Sequence, residues 1–374
     1  MKKNISSTVL KTRQHFEILD GLRGIAALAI VVFHFMEWIY SDYSKNFIGH
    51  GFLAVDFFFC LSGFVIGYAY DNRIGEMGVM EFFKSRLIRL HPMVFIGALI
   101  GLLAFLFDPI SNHSGEYSMG RIILIFACSI FLIPFPVMSD RSFNLFGLNA
   151  PSWSLFWEYV ANIFYAFILC KLSRRILIIL AIIAAALLCS VGFRAGNLLG
   201  GWAGDNFWHG GARVFYSFLA GLLIYRSNWI IKNRLGFIGL AILLSFAFFF
   251  PSLKKDWITE LIIVLFYFPL LVSLGAGSSL TSASRKLCEF SGEISYPLYM
   301  SHYAAIWIFG AYLTNYKPGP AELSFVVIAG TILLVGFAYA IMKLYDIPVR
   351  KYLANRRLKT LKLEVKAKAD VMMS

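Results

Sequence analysis

Apolar residues along the chain gather into runs near twenty residues long, separated by short polar stretches. The runs lie at about 18–39, 48–70, 86–107, 120–138, 153–171, 174–193, 209–226, 235–251, 258–276, 294–313 and 324–345. A hydrocarbon core about 30 Å thick takes about 20 helical residues to cross, so each run predicts a membrane-spanning α-helix. No internal repeat and no second, soluble region interrupts the pattern. The expected fold class is an all-α polytopic membrane protein.

Composition agrees: the 374 residues are 59% hydrophobic and only 15% charged, with a mean hydropathy of +0.71. A soluble domain of this length carries far more charge. The first seventeen residues are polar and the first run is long enough to stay as a span, so no cleavable signal is expected. The net charge of +13 follows the loops and the tail (Arg350, Lys351, Arg356, Arg357, Lys359, Lys362). That is the pattern of positive-inside loops touching anionic head groups, and nucleic acid is not an expected partner.

Charge also sets the topology. With the basic N-terminus inside, a crossing by 120–138 leaves Lys171, Arg174 and Arg175 outside, against the positive-inside rule. Pro134 and Pro136 disfavour a straight helix there, so a broken or re-entrant segment is expected instead. The result is about ten transmembrane helices plus that segment, with both termini cytoplasmic. An eleven-span arrangement with one violated loop is the alternative. The expected divisions are a cytoplasmic segment 1–17, a membrane domain 18–345 and a basic cytoplasmic tail 346–374, interfacial or disordered. The cysteines (Cys60, Cys128, Cys170, Cys189, Cys288) are irregularly spaced and read as core packing.

Several runs carry polar residues that hydrocarbon penalises, and such residues usually face a protein-lined cavity. In 18–36, Arg23 and His34 are eleven residues apart, about 16 Å of helical rise on one face. This suggests an anion site below and proton transfer above. In 51–67, Asp56 needs a partner, and Arg23 would serve; an ion pair and a catalytic role are both open. Ser62–Gly63 suggests close helix packing. Arg86 and Arg89 in 82–92 share a face at a span's cytoplasmic end, either as a snorkelling anchor or as a phosphate clamp. In 150–165, Pro151 and Ser152 suit a helix start, and Ser154, Glu158 and Asn162 share a face. That face lines a pocket or makes interhelical hydrogen bonds, while Trp153 and Trp157 fit an interfacial aromatic belt. In 293–302, Tyr296, Tyr299 and His302 lie close on one helix. His15, His50, His91, His113 and His209 are expected at span ends or in solvated loops. The histidines lack ligand spacing, so no metal site is expected. The glycine-rich 196–204 is expected to be an outside loop.

Together, LDGLRG with Arg23 and His34 in R-x10-H spacing, DFFFCLSGF, the Arg86/Arg89 pair, WSLFWEYVANIFY and SYPLYMSH resemble the acyltransferase 3 family. Its members are bacterial inner-membrane acyltransferases of surface glycans, Nod-factor-like sugars and some antibiotics. The motifs occur in the family's order over residues 18–345. The resemblance implies a ten-span helical core, no bound cofactor, and acyl-CoA, with acetyl-CoA favoured, as co-substrate. Its essential His corresponds to His34, its first-span Arg to Arg23 and its paired arginines to Arg86 and Arg89. Some members carry an esterase-like extracytoplasmic domain; this sequence ends at Ser374 without one, so its own spans and loops, or a partner, are expected to recognise the acceptor.

The mechanism this implies is O-acyl transfer to a hydroxyl of a cell-surface or lipid-linked saccharide, in the bacterial cytoplasmic membrane. His34 acts as general base, Arg86 and Arg89 bind the CoA phosphates, and Arg23 binds donor or pairs with Asp56. Glu158 orients His34 or the sugar, and Tyr299, Ser154 or a backbone amide supplies the oxyanion donor. The competing class is a proton-coupled secondary transporter or flippase, whose composition is the same. The lack of an inverted repeat counts against it, as does an RxxR pair away from the midplane.

Overall fold

The computed structural model of the protein describes residues 16–111 and 116–373, with side chains to residue 361. His15, His113 and nearly all of the expected N-terminal segment lie outside the described residues.

The chain folds into helices α1 (Glu17–Ile39), α2 (Ala54–Tyr70), α3 (Ile74–Met77), α4 (Val79–Leu106), α5 (Met119–Ile130), α6 (Ser152–Phe167), α7 (Arg174–Ala195) and α8 (Phe207–Arg226). These are followed by α9 (Gly236–Phe248), α10 (Asp256–Ile262), α11 (Phe268–Gly277), α12 (Ser282–Ser301), α13 (Tyr303–Tyr316), α14 (Pro320–Ile341) and α15 (Ile347–Met373). No strand occurs among the described residues. Single π-turns, Ile263–Tyr267 and Met342–Asp346, fuse α10 with α11 and α14 with α15 into longer rods. Among the described residues seven helices are long and apolar enough to cross a membrane, and α5 and α9 are shorter apolar helices.

These helices differ in what they bury. α1 and α2 are inner helices: Leu22, Ala26, Ala27, Val31, Phe33, Phe57 and Phe64 are inaccessible. α7 and α14 turn Ile179, Ile182, Phe325 and Leu333 outward. A helix that is apolar all round and exposed on one side needs lipid on that side.

Small residues let the inner helices approach. A Cβ on Gly24 would meet Ser291 Oγ at 1.9 Å, which explains the glycine that follows Arg23 on α1 where α12 crosses it. On α2, a Cβ on Gly63 would lie 2.0 Å from the Phe218 carbonyl, and one on Gly221 of α8 1.9 Å from that of Cys60. Backbone contact of this kind excludes any side chain. α2 and α8 run parallel through this crossing. Arg213 pairs with Asp56 at 2.6 Å at one end, and Arg226 with Asp71 at 2.5 Å at the other.

The expected break in 120–138 is present. α5 has 12 residues, about 18 Å of rise, too short to cross. Beyond it Leu132 takes φ 53°, and the irregular backbone is tied down by Phe135 N–H to Leu145 O (2.9 Å) and Leu145 N–H to Trp202 O (2.8 Å). The run 294–313 is not one straight helix: α12 and α13 meet at His302.

Two expectations are corrected. His50 is not solvated; it is 1% exposed, with Nδ1 3.7 Å from the buried Glu260. Trp153 and Trp157 are buried rather than interfacial. The basic tail continues the last rod as α15, and Arg357 bonds Glu81 at the start of α4 at 2.8 Å.

Candidate functional site

Two cavities lie along α1 and share Val55 and Tyr299 in their linings. The one nearer the N-terminal end of α1, about 160 Å³, is lined by Arg23, Ser62, Arg86, Arg89, Ser154, Glu158, Ser295 and Tyr296 among apolar residues. The other, about 250 Å³, is lined by His34, Glu37, Tyr43, Arg213, Tyr303 and four tryptophans: Trp38, Trp153, Trp202 and Trp307.

The first cavity is cationic. Arg23 is fixed by α12, donating from Nε to Ser295 Oγ (2.8 Å) and from Nη2 to Gly292 O (2.7 Å), with Asp20 3.2 Å from Nη1. Arg86 Nη2 donates to Glu158 Oε1 at 2.7 Å, and Ser62 Oγ donates to the same oxygen at 3.1 Å. Arg89 lies over the Tyr296 ring at 5.9 Å, and among the described residues no hydrogen bond or ion pair engages it. Tyr296 is itself held by a 2.6 Å bond to Leu90 O. Three guanidinium groups against one lining carboxylate leave room for an anion, which such groups bind bidentately.

The second cavity places an imidazole among aromatic rings. His34 Nδ1 lies 2.5 Å from Glu37 Oε1. Its ring stacks on His302 (5.3 Å, 23°) and meets Tyr303 edge-on (4.7 Å). His302 is fully buried, with Nδ1 near Leu298 O (3.1 Å) and Tyr299 O (2.9 Å). Both partners are acceptors, so that nitrogen carries the proton. Arg213 bonds both Asp56 oxygens and Gly200 O (2.9 Å), under the Trp153 ring at 5.1 Å. Between the cavities, the Ser154 and Tyr299 hydroxyls share a 2.8 Å hydrogen bond.

Arg23 and His34 thus face the bundle interior from one side of α1, as their spacing predicts, but they line different cavities. Arg86 and Arg89 share one cavity with Arg23, Ser154, Glu158, Tyr296 and Tyr299. Two expected pairings are absent. Asp56 pairs with Arg213 and not Arg23, because the α2–α8 crossing points it at α8. Glu158 bonds Arg86 and Ser62, and so does not orient His34. Asn162 is buried and bonds Glu158 O (2.7 Å) on its own helix.

The sequence reading missed Arg213, Glu37, Tyr43, Tyr303 and the pocket-lining 199–202 loop. Arg213 carried the signal that singled out Arg23, an arginine inside an apolar run. Glu37 carried another, a carboxylate three residues after His34. Among the described residues no group of His, Cys, Asp and Glu could hold a metal ion.

The acyltransferase domain profile matches residues 16–343. The chain is 33% identical over 164 residues to protein 2 in the picA locus of Rhizobium radiobacter, covering 41% of this chain and 82% of that protein. It is 33% identical over 99 residues to a putative O-acetyltransferase of Staphylococcus aureus, covering 26% of this chain and 15% of that protein. The O-acetyltransferase OatA of the same species is 33% identical over 95 residues, 24% of this chain and 14% of that protein. The match therefore spans a small part of the staphylococcal proteins. No solved structure matches the chain. A profile match over most of its length, on a bundle with several membrane-length helices, makes this chain a multi-pass membrane protein that belongs to the acyltransferase 3 family.

Proposed function

We propose that the protein transfers an acyl group, acetyl in the first instance, from acyl-CoA to a hydroxyl of a cell-surface or lipid-linked saccharide. The observation that carries this is the pair of cavities meeting at Tyr299 and Val55, one cationic and one holding His34. The CoA phosphates sit on Arg86 and Arg89, with Arg23 contributing to the same field, and the thioester reaches past Tyr299 towards His34. Trp38, Trp153, Trp202 and Trp307 offer flat apolar faces suited to the C–H faces of a sugar ring, whose hydroxyls the polar groups among them can engage. His34 takes the acceptor hydroxyl proton as that oxygen bonds the thioester carbonyl carbon. The C–S bond then breaks, and the leaving thiolate takes the proton from the imidazolium. The Tyr299 or Ser154 hydroxyl, or a backbone amide, donates to the oxyanion in between. No cofactor takes part beyond the acyl-CoA.

The same reading places the protein in the bacterial cytoplasmic membrane with about ten spans, the broken segment at 120–138, and both termini inside. The loop charges support it, and so does the parallel packing of α2 on α8, since both run towards basic connections.

The test is transfer of labelled acetyl from acetyl-CoA to envelope glycan in membranes containing wild type, His34→Ala or Arg86→Ala, each checked for insertion. Label with wild type alone is the expected result. No label from any short acyl-CoA, together with solute movement that His34→Ala abolishes, would overturn it in favour of a transporter.

A further inference from the structure

We infer that Glu37 is the positioning residue of His34, a role that rests on the proposed acyl transfer for its catalytic meaning but not for its structural content. Glu37 follows His34 by three residues on α1, so the two side chains lie on one face. Its Oε1 is 2.5 Å from His34 Nδ1, and the two side chains are 19% and 16% exposed. A carboxylate only accepts, so Nδ1 must carry the proton. That leaves Nε2 as the bare lone pair, the nitrogen able to act as base.

Tyr43, from the turn after α1, and Tyr303, at the start of α13, line the same cavity as Glu37. The ring is fixed from its other sides by His302 and Tyr303. The imidazole therefore has one tautomer, one orientation and an anion beside the proton it keeps. When Nε2 takes the acceptor hydroxyl proton, the cation formed has Glu37 already in place. Losing such a partner permits the other tautomer, in which Nε2 carries a hydrogen and cannot act as base. Glu37 touches neither acyl donor nor acceptor in this account; it acts through His34.

The test uses the full-length protein in nanodiscs. Nitrogen-15 histidine labelling, with the His34 signals assigned by difference from His34→Asn, reads the tautomer directly. The wild type is expected to show a protonated Nδ1 and a bare Nε2. Glu37→Ala is expected to lose that preference, and Glu37→Gln, whose amide oxygen still accepts, to keep more of it. In acetyl transfer, Glu37→Ala is expected to lower kcat about 10²-fold or more with the acyl-CoA KM little changed, and Glu37→Gln to fall between. A merely structural role would lower the yield of folded protein and shift both constants. The same tautomer in wild type and Glu37→Ala, or an unchanged kcat, would overturn the inference. If wild type transfers no acyl group, the proposed function fails, and the nitrogen signals still decide the position of Glu37.

Discussion

Arg213 bonds both carboxylate oxygens of Asp56, and neither side chain is more than 1% exposed. Removing one member of a buried pair strands the other charge, at a cost of about 3–5 kcal/mol. Asp56→Asn and Arg213→Met are each expected to lower thermal stability in detergent by that order. The double variant Asp56→Leu/Arg213→Met should recover much of the loss while altering the His34 cavity floor. A double variant no more stable than the singles would mean that the Arg213 bonds to Gly200 O and Phe52 O matter more than the ion pair.

The arginines of the first cavity should separate by partner. Among the described residues Arg89 makes no ion pair with a carboxylate, so Arg89→Ala is expected to insert normally and raise the acyl-CoA KM about tenfold or more, the range for a charge-assisted hydrogen bond. Arg86→Ala also strands Glu158 and should lose stability as well. Adding Glu158→Gln should restore the stability but not the donor affinity. Equal stability for Arg86→Ala and Arg89→Ala would count against the Arg86–Glu158 bond as a structural tie.

Tyr299 separates the cavities through its bond to Ser154. Tyr299→Phe keeps the ring against Phe58 and should fold normally. Tyr299→Ala joins the two spaces and should admit water to the thioester. The expected outcome is a higher ratio of acyl-CoA hydrolysis to acyl transfer in membranes supplied with acceptor. An unchanged ratio would rule out a partition role.

The α2–α8 crossing gives a stability contrast. A Cβ at Gly63 falls on the Phe218 carbonyl, whereas one at Gly75, in the short α3, meets nothing within 4 Å. Gly63→Ala should cost about 1–3 kcal/mol through forced separation of the helices. Gly75→Ala should be neutral or gain up to about 1 kcal/mol. Thermal unfolding of the two variants side by side checks both.

The sequence by itself determined what local physics can write into a chain. Run lengths gave the helices, because every backbone N–H in hydrocarbon must be bonded within its own segment. The prolines at 134 and 136 marked where α5 stops. Helical spacing put Arg23 and His34 on one face of α1, and Arg86 and Arg89 on one face of α4. Only the tertiary structure decided which charges meet. Asp56 finds Arg213, 157 positions away, because Gly63 and Gly221 let two parallel helices touch, and no periodicity records that approach. Glu158 went to Arg86 for the same kind of reason: helix rotation and crossing set its partner, and an isolated helix face leaves several open. Burial followed as well. His50, Trp153 and Trp157 sit where span ends usually meet water, yet the 199–202 loop, α8 and α10 cover them. A span's own sequence fixes its length and stripe; its neighbours fix which side is lipid and which side is cavity.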